Sequence, residues 1–151
     1  MDIGSNDNYP GCALSNFAGH RFVIDGIQCN SMEGFLQSLK FKSPDMQRSV
    51  CLLIGKAAKF KGKKKKWWKT QTLFWKGKEI KRSSDEYTNL IHRAYNCMTE
   101  QSDSFRRAIK AAGKDAVFTH SIGKDDEHRT VLTRKEFIRE LNWAKEQLFK
   151  K

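Results

Sequence analysis

The sequence predicts a mostly helical α+β fold, a single domain over residues 1–151 with a small β-sheet. The length and the 38% hydrophobic content suit one domain with one core. In the second half, apolar residues recur at helical spacing behind residues that cap helices. The first third instead carries a short hairpin signal, Asp25-Gly26.

Two short strands are predicted on either side of this turn, near residues 20–24 and 27–29, where "HRFVIDGIQCN" alternates weakly between apolar and polar residues. A helix is expected next, because Ser31 can cap it and Glu33 places a carboxylate in its first turn, where it complements the helix dipole. Pro44 is expected to end this helix, since the residue before a proline resists the α conformation.

Three further helices are predicted downstream. "SSDEYTNLIHRAYNCM" offers a capping box from Ser83 to Glu86. "SDSFRRAIKAAG" reads as a second helix that ends at Gly113. "TRKEFIRELNWAKEQLF" reads as the last, with a capping box from Thr133 to Glu136, and "AVFTHSI" before it is expected to be a strand. The order of strands in the sheet does not follow from these patterns.

Composition argues against several classes of protein. No apolar run approaches the roughly 18 residues that a membrane span needs, and the polar start has no signal-peptide character, so we expect a cytoplasmic protein without a membrane partner. The cysteines at 12, 29, 51 and 97 form no CxxC pair and make no zinc pattern with the histidines. Reduced thiols, no metal site and no cofactor are therefore predicted.

The net charge of +12 is a strong bias for a small domain. It is concentrated in "KFKGKKKKWWK", residues 59–69, where seven of eleven residues are lysine, and which we interpret as an exposed loop or a helix end. A basic field attracts polyanions, which favours nucleic acid or a phosphorylated ligand as partner. The alternative is that the charge serves solubility alone.

The stretch "SMEGFLQSLKF" places Glu33, Gln37 and Lys40 on one line of the expected helix. If this face lined a pocket, a desolvated Glu33 would suit general acid–base chemistry and a desolvated Lys40 would suit nucleophilic attack. The alternative is an ordinary polar stripe in contact with water.

Tryptophans interleaved with lysines in "KKWWKTQTLFWKGKEIKR" suit stacking on bases beside phosphates, or else are core anchors with a solvated lysine fringe. The loop "THSIGKDDEHRT", residues 119–130, follows an expected strand, where functional residues often occur, although a solvated loop fits equally well. Asn16 in "ALSNF" is either a turn residue or an amide that contacts a ligand.

Four segments recur together in a recognisable order: "LSNF" at 14–17, "IDGIQCNSMEGFLQSLKF" at 24–41, "LFWKGKEIKRSSDEYTNLIHRAY" at 73–95 and "THSIGKDDEHRTVLTRKEFIRELNW" at 119–143. Taken together they resemble the NADAR superfamily of YbiA-like proteins, and they cover nearly the whole chain. Each segment alone is a weak signal, whereas the set is fairly specific.

The resemblance implies an α+β fold and cleavage of N-glycosidic bonds at ribose carbon 1. Family substrates include ADP-ribose on guanine bases of DNA and phosphorylated intermediates of riboflavin synthesis. By position, Glu33 and Lys40 match the catalytic acid and the helix lysine. The residues that match ligand-contacting positions are Asn16, Phe17, Gln37, Trp68, Trp75, His120, Gly123 and Asp125, with the choice between Trp67 and Trp68 left open.

Three functions follow as hypotheses. The high positive charge favours removal of ADP-ribose from DNA bases, so that the partner is ADP-ribosylated nucleic acid or an ADP-ribose-like nucleotide. A metabolic N-glycosidase would need the same pair but no broad basic surface, and a binding module without activity would need neither Glu33 nor Lys40. The sequence departs from the family at Gly34, where relatives carry His or Tyr, which is expected to widen the site.

Overall fold

The computed structural model describes residues 1–150, within which the chain forms seven α-helices and two antiparallel two-stranded sheets. This confirms the predicted α+β, mostly helical class. The elements in chain order are α1 (Gly11–Leu14), β1 (Phe22–Ile24), β2 (Ile27–Cys29), α2 (Met32–Ser38), α3 (Pro44–Cys51), α4 (Gly55–Lys63), a 3₁₀ turn (Trp67–Lys69), β3 (Thr72–Trp75), β4 (Lys78–Lys81), α5 (Asp85–Gln101), α6 (Asp103–Ala112) and α7 (Arg134–Phe149).

The hairpin and the last two helices agree with the sequence prediction. Strands β1 and β2 pair antiparallel around Asp25 and Gly26, both of which have positive φ. Helix α6 ends at Gly113, whose φ of 95° suits a residue without Cβ. Helix α7 begins with the expected capping box, in which Thr133 and Glu136 bond each other's backbone N–H groups.

The prediction that Pro44 ends a helix is wrong. Helix α2 already ends at Ser38, and Lys40 lies just beyond it, where its N–H donates to the Gln37 carbonyl at 3.2 Å. Pro44 instead opens α3 behind Ser43, whose side chain accepts from the Met46 N–H at 3.3 Å. The first position of a helix needs no N–H donor and favours the fixed φ of proline.

Two other local predictions are corrected. The cap of α5 is Ser84, which accepts from the Tyr87 N–H at 3.1 Å, rather than Ser83 in a capping box. The stretch "AVFTHSI" makes only one isolated parallel bridge, between Asp2 and Thr119, instead of a strand. The lysine-rich segment is the end of α4 followed by a turn, which agrees with the second interpretation given above.

One continuous core joins the hairpin, α2, β3–β4 and the three long helices. Phe35 of α2 is at its centre, in edge-to-face contact with Phe22 and Trp75 at ring-centroid distances of 6.3 and 5.1 Å. Because α2 is fixed by this buried face, its opposite polar face is held in a defined position between α4 and the loop at 119–132. Within residues 1–150, no helix is both long and apolar enough for a membrane span.

Candidate active site

Glu33 lies in the first turn of α2, which is anchored on two sides. The Ser31 hydroxyl accepts from the Gly34 N–H at 3.0 Å and donates to the Leu53 carbonyl at 2.9 Å. The Glu33 N–H donates to the Asn16 carbonyl at 3.0 Å. The carboxylate is therefore carried by a backbone that both the "LSNF" segment and the end of α3 hold in place.

Gln37 and Lys40 follow Glu33 along the same polar line. The Gln37 amide donates from Nε2 to Glu33 Oε2 at 3.1 Å, and Lys40 Nζ donates to the Gly62 carbonyl of α4 at 3.4 Å. Among residues 1–150, no ion pair within 4.0 Å joins Glu33 to Lys40. The acid and the amine thus face one region without neutralising each other by direct contact.

Burial shifts the pKa values of these two groups toward each other. It raises the pKa of Glu33, an effect that the Gln37 hydrogen bond and the charges of Lys40 and Lys59 oppose. It lowers the pKa of Lys40, which the Glu33 carboxylate opposes. A carboxyl that keeps its proton more readily and an amine that loses it more readily are suited to proton transfer and to nucleophilic attack.

The side chain of Asn16, which lies near Glu33, is held in a fixed orientation. Its side-chain oxygen accepts from the buried Tyr95 hydroxyl at 2.7 Å, while its backbone carbonyl accepts from Glu33. No protein group among residues 1–150 bonds its amide NH₂. The amide is therefore oriented by the core and keeps its donors for a ligand.

Two adjoining cavities meet at this point, of about 370 and 250 Å³. We call them the Phe17 cavity and the Lys40 cavity, after a residue that lines each one alone. They share four lining residues, Asn16, Glu33, Gln37 and His120. Both chemically active groups therefore border one divided cleft, with Glu33 at the division and Lys40 in the smaller part.

A larger groove of about 850 Å³ lies on the other side of His120, between Phe118 and Trp143. Its lining includes neither Glu33 nor Lys40. Because the acid, the amide and the amine converge elsewhere, we place the candidate active site in the two smaller cavities.

His120 closes the cleft from the C-terminal loop. Its Nδ1 donates to the Ile3 carbonyl at 2.7 Å and its ring meets Phe137 edge to face, with centroids 4.9 Å apart. Nε2 has no hydrogen-bond partner within residues 1–150. Gly123 turns the loop behind it, where a Cβ would overlap the His120 ring and lie 3.1 Å from Cβ of Arg134.

Asp125 lines neither cavity. Its carboxylate accepts from Arg134 at 2.6 Å and from the Lys135 N–H at 3.1 Å, which joins the loop to the start of α7. These bonds lower its pKa. Asp125 therefore holds the loop in place. Gly123 leaves room for the His120 ring and lines neither cavity.

The tryptophans separate into two groups. Trp67 and Trp75 are 6% exposed and belong to the core, and Trp75 Nε1 donates to Asp25 at 2.7 Å on a side of the molecule away from Glu33. Trp68 is partly buried, and the guanidinium of Arg129 lies 3.7 Å from its ring centroid. Trp68 lines neither cavity, but it supports Arg129, which lines the Lys40 cavity.

The expectation that Gly34 widens the site is wrong. A Cβ at this position would point into the end of α3, 2.6 Å from the Leu53 carbonyl oxygen and 2.9 Å from that of Cys51. The glycine allows α2 and α3 to pack closely and leaves the cleft unchanged.

Sequence reasoning missed three contributors. Lys59 of α4 lines the Phe17 cavity, Arg129 lines the Lys40 cavity, and Tyr95 orients Asn16 from the core. Lys59 belongs to the lysine-rich segment 59–69 and Arg129 to the loop 119–130, and nothing in their spacing distinguishes these two residues from their neighbours. Tyr95 reads as a helix core residue, and its contact with Asn16 spans 79 positions.

The loop that carries Arg129 and Thr130 is tied to the core by a buried arginine. Arg82, 2% exposed, donates from Nε to the Thr130 carbonyl at 3.1 Å and from both terminal nitrogens to Glu136. Its guanidinium also lies 4.7 Å from the ring centroid of Tyr87. Within residues 1–150, no cluster of three His, Cys, Asp or Glu side chains is placed to hold a metal.

The chain is similar to known proteins in sequence and in fold. Residues 8–146 match the model of the family described as bacteriophage protein GP30.3. The chain is 41% identical over 155 residues to an uncharacterized 17.1 kDa protein in the Gp30–rIII intergenic region of Enterobacteria phage T4, covering 98% of each chain. It also superposes on the NMR structure of the E. coli protein YbiA with a TM-score of 0.60 at 16% identity, over 97% of this chain and 82% of that one. The YbiA-like resemblance drawn from the sequence is confirmed.

Proposed function

We propose that this chain, which belongs to the bacteriophage GP30.3 family and has the YbiA fold, is an N-glycosidase that hydrolyses a bond between ribose carbon 1 and a nitrogen. The observation that carries the proposal is the convergence of Glu33 and Lys40 on one cleft without a direct ion pair. A site that only bound a nucleotide would gain nothing from burying both a carboxyl and an amine.

The pair suits the charge changes of the reaction. Bond breaking at the sugar carbon builds positive charge at that carbon, which the Glu33 carboxylate stabilises once it has given up its proton. Burial raises the pKa of Glu33, which favours the protonated form that can donate a proton, and lowers that of Lys40, which favours the neutral amine.

The proposed reaction passes through an imine on Lys40. Glu33 gives a proton to the ring oxygen as the bond from that oxygen to carbon 1 breaks, which leaves carbon 1 doubly bonded to the base nitrogen. Neutral Lys40 Nζ adds to carbon 1, and the base nitrogen leaves with a proton and its electron pair. Water then adds to the Lys40 imine, the amine departs, and the sugar is released with an oxygen at carbon 1.

The substrate we favour is ADP-ribose attached to guanine in DNA. The two cavities offer separate places for the ribose at Glu33 and for the rest of the ligand beside Phe17. Lys59 and Arg129 put positive charge on either side of the division, where a pyrophosphate would be held. The net charge of +12 exceeds what a small nucleotide requires.

Mass spectrometry of the products after incubation with ADP-ribosylated single-stranded DNA tests the proposal. Release of ADP-ribose by the wild type, and its loss by a factor on the order of 100 or more in Glu33→Gln, is the expected result. A phosphorylated ribosyl pyrimidine tested in parallel separates the metabolic alternative. Turnover of that compound alone would replace the DNA substrate, and no turnover of either would leave a binding module.

A further inference from the structure

The sequence between Asp45 and Glu79 contains no acidic residue and eleven lysines and arginines. The eight lysines of this stretch that lie on α4 and the turn after it are all exposed: Lys56, Lys59, Lys61, Lys63, Lys64, Lys65, Lys66 and Lys69. None of them makes an ion pair within 4.0 Å to any of residues 1–150. Their charge is therefore available to a polyanion, and its accumulation on one element is unfavourable without a partner.

An exposed aromatic ring lies among these cations. Phe60 is 61% exposed on α4. Lys56 and Lys63 stand four residues before and three after it, the spacing at which side chains are neighbours on a helix, and Lys63 Nζ lies 5.8 Å from its ring centroid. Cations around an accessible ring are the arrangement that holds phosphates while a base stacks.

This face of α4 is continuous with the candidate active site. Lys59 precedes Phe60 in the chain and lines the Phe17 cavity, and its positive charge acts to lower the pKa of Glu33. Gly62, on the inner side of the same helix, faces Gln37 and accepts from Lys40. A ligand lying along the outside of α4 would therefore end at the mouth of the cleft.

We propose that α4 and the turn after it form a docking surface for single-stranded DNA, in which the lysines contact phosphates and a base stacks on Phe60. An unpaired strand is required, because bases inside a duplex have no free face for the ring. The choice of DNA over RNA rests on the proposed function. The strand passes over α4 with the modified nucleotide beside Lys59, where the helix borders the Phe17 cavity.

Fluorescence anisotropy with an unmodified, labelled oligothymidylate tests the surface without turnover. The variant Lys56→Gln/Lys63→Gln/Lys64→Gln is compared with Arg107→Gln/Lys110→Gln/Lys114→Gln on and after α6, which removes the same charge from exposed positions elsewhere. The α4 variant is expected to bind about tenfold or more weakly, and its salt slope to fall by about 2, since each lost phosphate contact on a single strand removes about 0.7. The α6 variant is expected to stay within about twofold of wild type, because it removes charge but no contact.

Phe60 provides a second, uncharged test. Phe60→Ala is expected to weaken binding roughly tenfold, the scale of one base stacked on a ring, while Phe60→Trp keeps it. Since the side chain is already exposed, neither change threatens the fold. Equal losses in the α4 and α6 variants, or no effect of Phe60→Ala, would show a nonspecific cationic surface and overturn the proposal.

Two other partners are outcomes of the same experiment. Tighter binding through the α4 lysines to an oligouridylate, or to vesicles containing an anionic phospholipid, would overturn the assignment to DNA. If the chain binds the strand through α4 but releases no ADP-ribose, the docking surface is supported and the proposed hydrolase activity is rejected. If the chain releases ADP-ribose but binds unmodified DNA no better than the α4 variant does, only the proposed docking surface is rejected.

Discussion

The side chain of Gln37 lies directly against Gly62, so that a methyl group at position 62 would overlap Gln37 Oε1. This oxygen is buried and has no hydrogen-bond partner within residues 1–150, while the nitrogen of the same amide donates to Glu33. The glycine of α4 thereby sets how closely the amide approaches the Glu33 carboxyl.

Gly62→Ala is expected to lower hydrolysis about tenfold or more without loss of stability. The methyl group displaces the Gln37 amide, and misplacement of a group beside the reacting centre is costly. Alanine is favoured over glycine inside a helix by about 1 kcal/mol, which offsets the shift. Initial rates and thermal unfolding of the same samples measure both effects.

A double-mutant comparison checks the cause. If Gly62→Ala acts through Gln37, it should add no further loss of activity in a Gln37→Ala background. If the two substitutions lower activity independently and additively, Gly62→Ala does not act through its contact with Gln37.

Lys40→Arg is expected to abolish covalent trapping. Borohydride added during turnover should reduce a wild-type imine and leave a stable mass adduct on the peptide that contains Lys40. Arginine keeps the positive charge but stays protonated, so it offers no neutral amine and the rate should fall on the order of 100-fold or more. An equal adduct on the variant, or none on the wild type, excludes the imine route.

Glu33→Gln is expected to stabilise the protein at neutral pH by about 1 kcal/mol, because it removes a charge that burial disfavours. Since burial raises the pKa of this carboxyl above its ordinary 4.5, the group is most favourable to folding below that value and loses this contribution as the pH rises through the folded-state pKa. The gap between variant and wild type should therefore close on acidification. Denaturant titrations at several pH values measure it, and a gap that widens toward low pH would refute the burial argument.

Gly34→Ala is expected to destabilise the fold by about 2 kcal/mol or more, because its Cβ would meet three carbonyl oxygens of α3 and the residues after it. Gly19→Ala is the matched control, since the nearest obstacle there is the end of the Ile54 side chain, at 3.2 Å. Thermal unfolding compares the two. Similar midpoints would mean that α2 and α3 separate easily.

The sequence predicted best what depends on neighbouring residues. The capping box of α7 and the Asp25-Gly26 turn are signals contained in a few positions, and both appear in the structure. The β3–β4 hairpin was not predicted, because its turn is Lys76-Gly77, a weaker sequence signal than Asp25-Gly26, although both turn residues have positive φ in the structure. The alternation of tryptophan and lysine in this stretch also suits ligand binding, which is the interpretation given above.

The candidate site was predictable only in part, because some of its contacts join segments that are far apart in the chain. The line from Glu33 to Lys40 is local and was found from helical spacing, although Lys40 lies just past the helix end. The side chain of Trp75 was expected near the ligand, but the antiparallel pairing of β3 turns it into the core against Phe35. Contacts such as Tyr95 with Asn16 join distant segments, and no periodicity reveals them.

The buried arginine at position 82 has an evolutionary consequence. It holds the cleft's outer wall through the Thr130 carbonyl and the Glu136 carboxylate, and it also forms an ion pair with the exposed Glu127 carboxylate at 3.8 Å. Within this rim, Asp125 and Glu127 take part in holding the loop, whereas the side chains of Lys124 and His128 make no hydrogen bond or ion pair within residues 1–150 and are free to change without moving the cleft. Homologues would therefore be able to vary the rim of the cleft at these two positions by single exchanges.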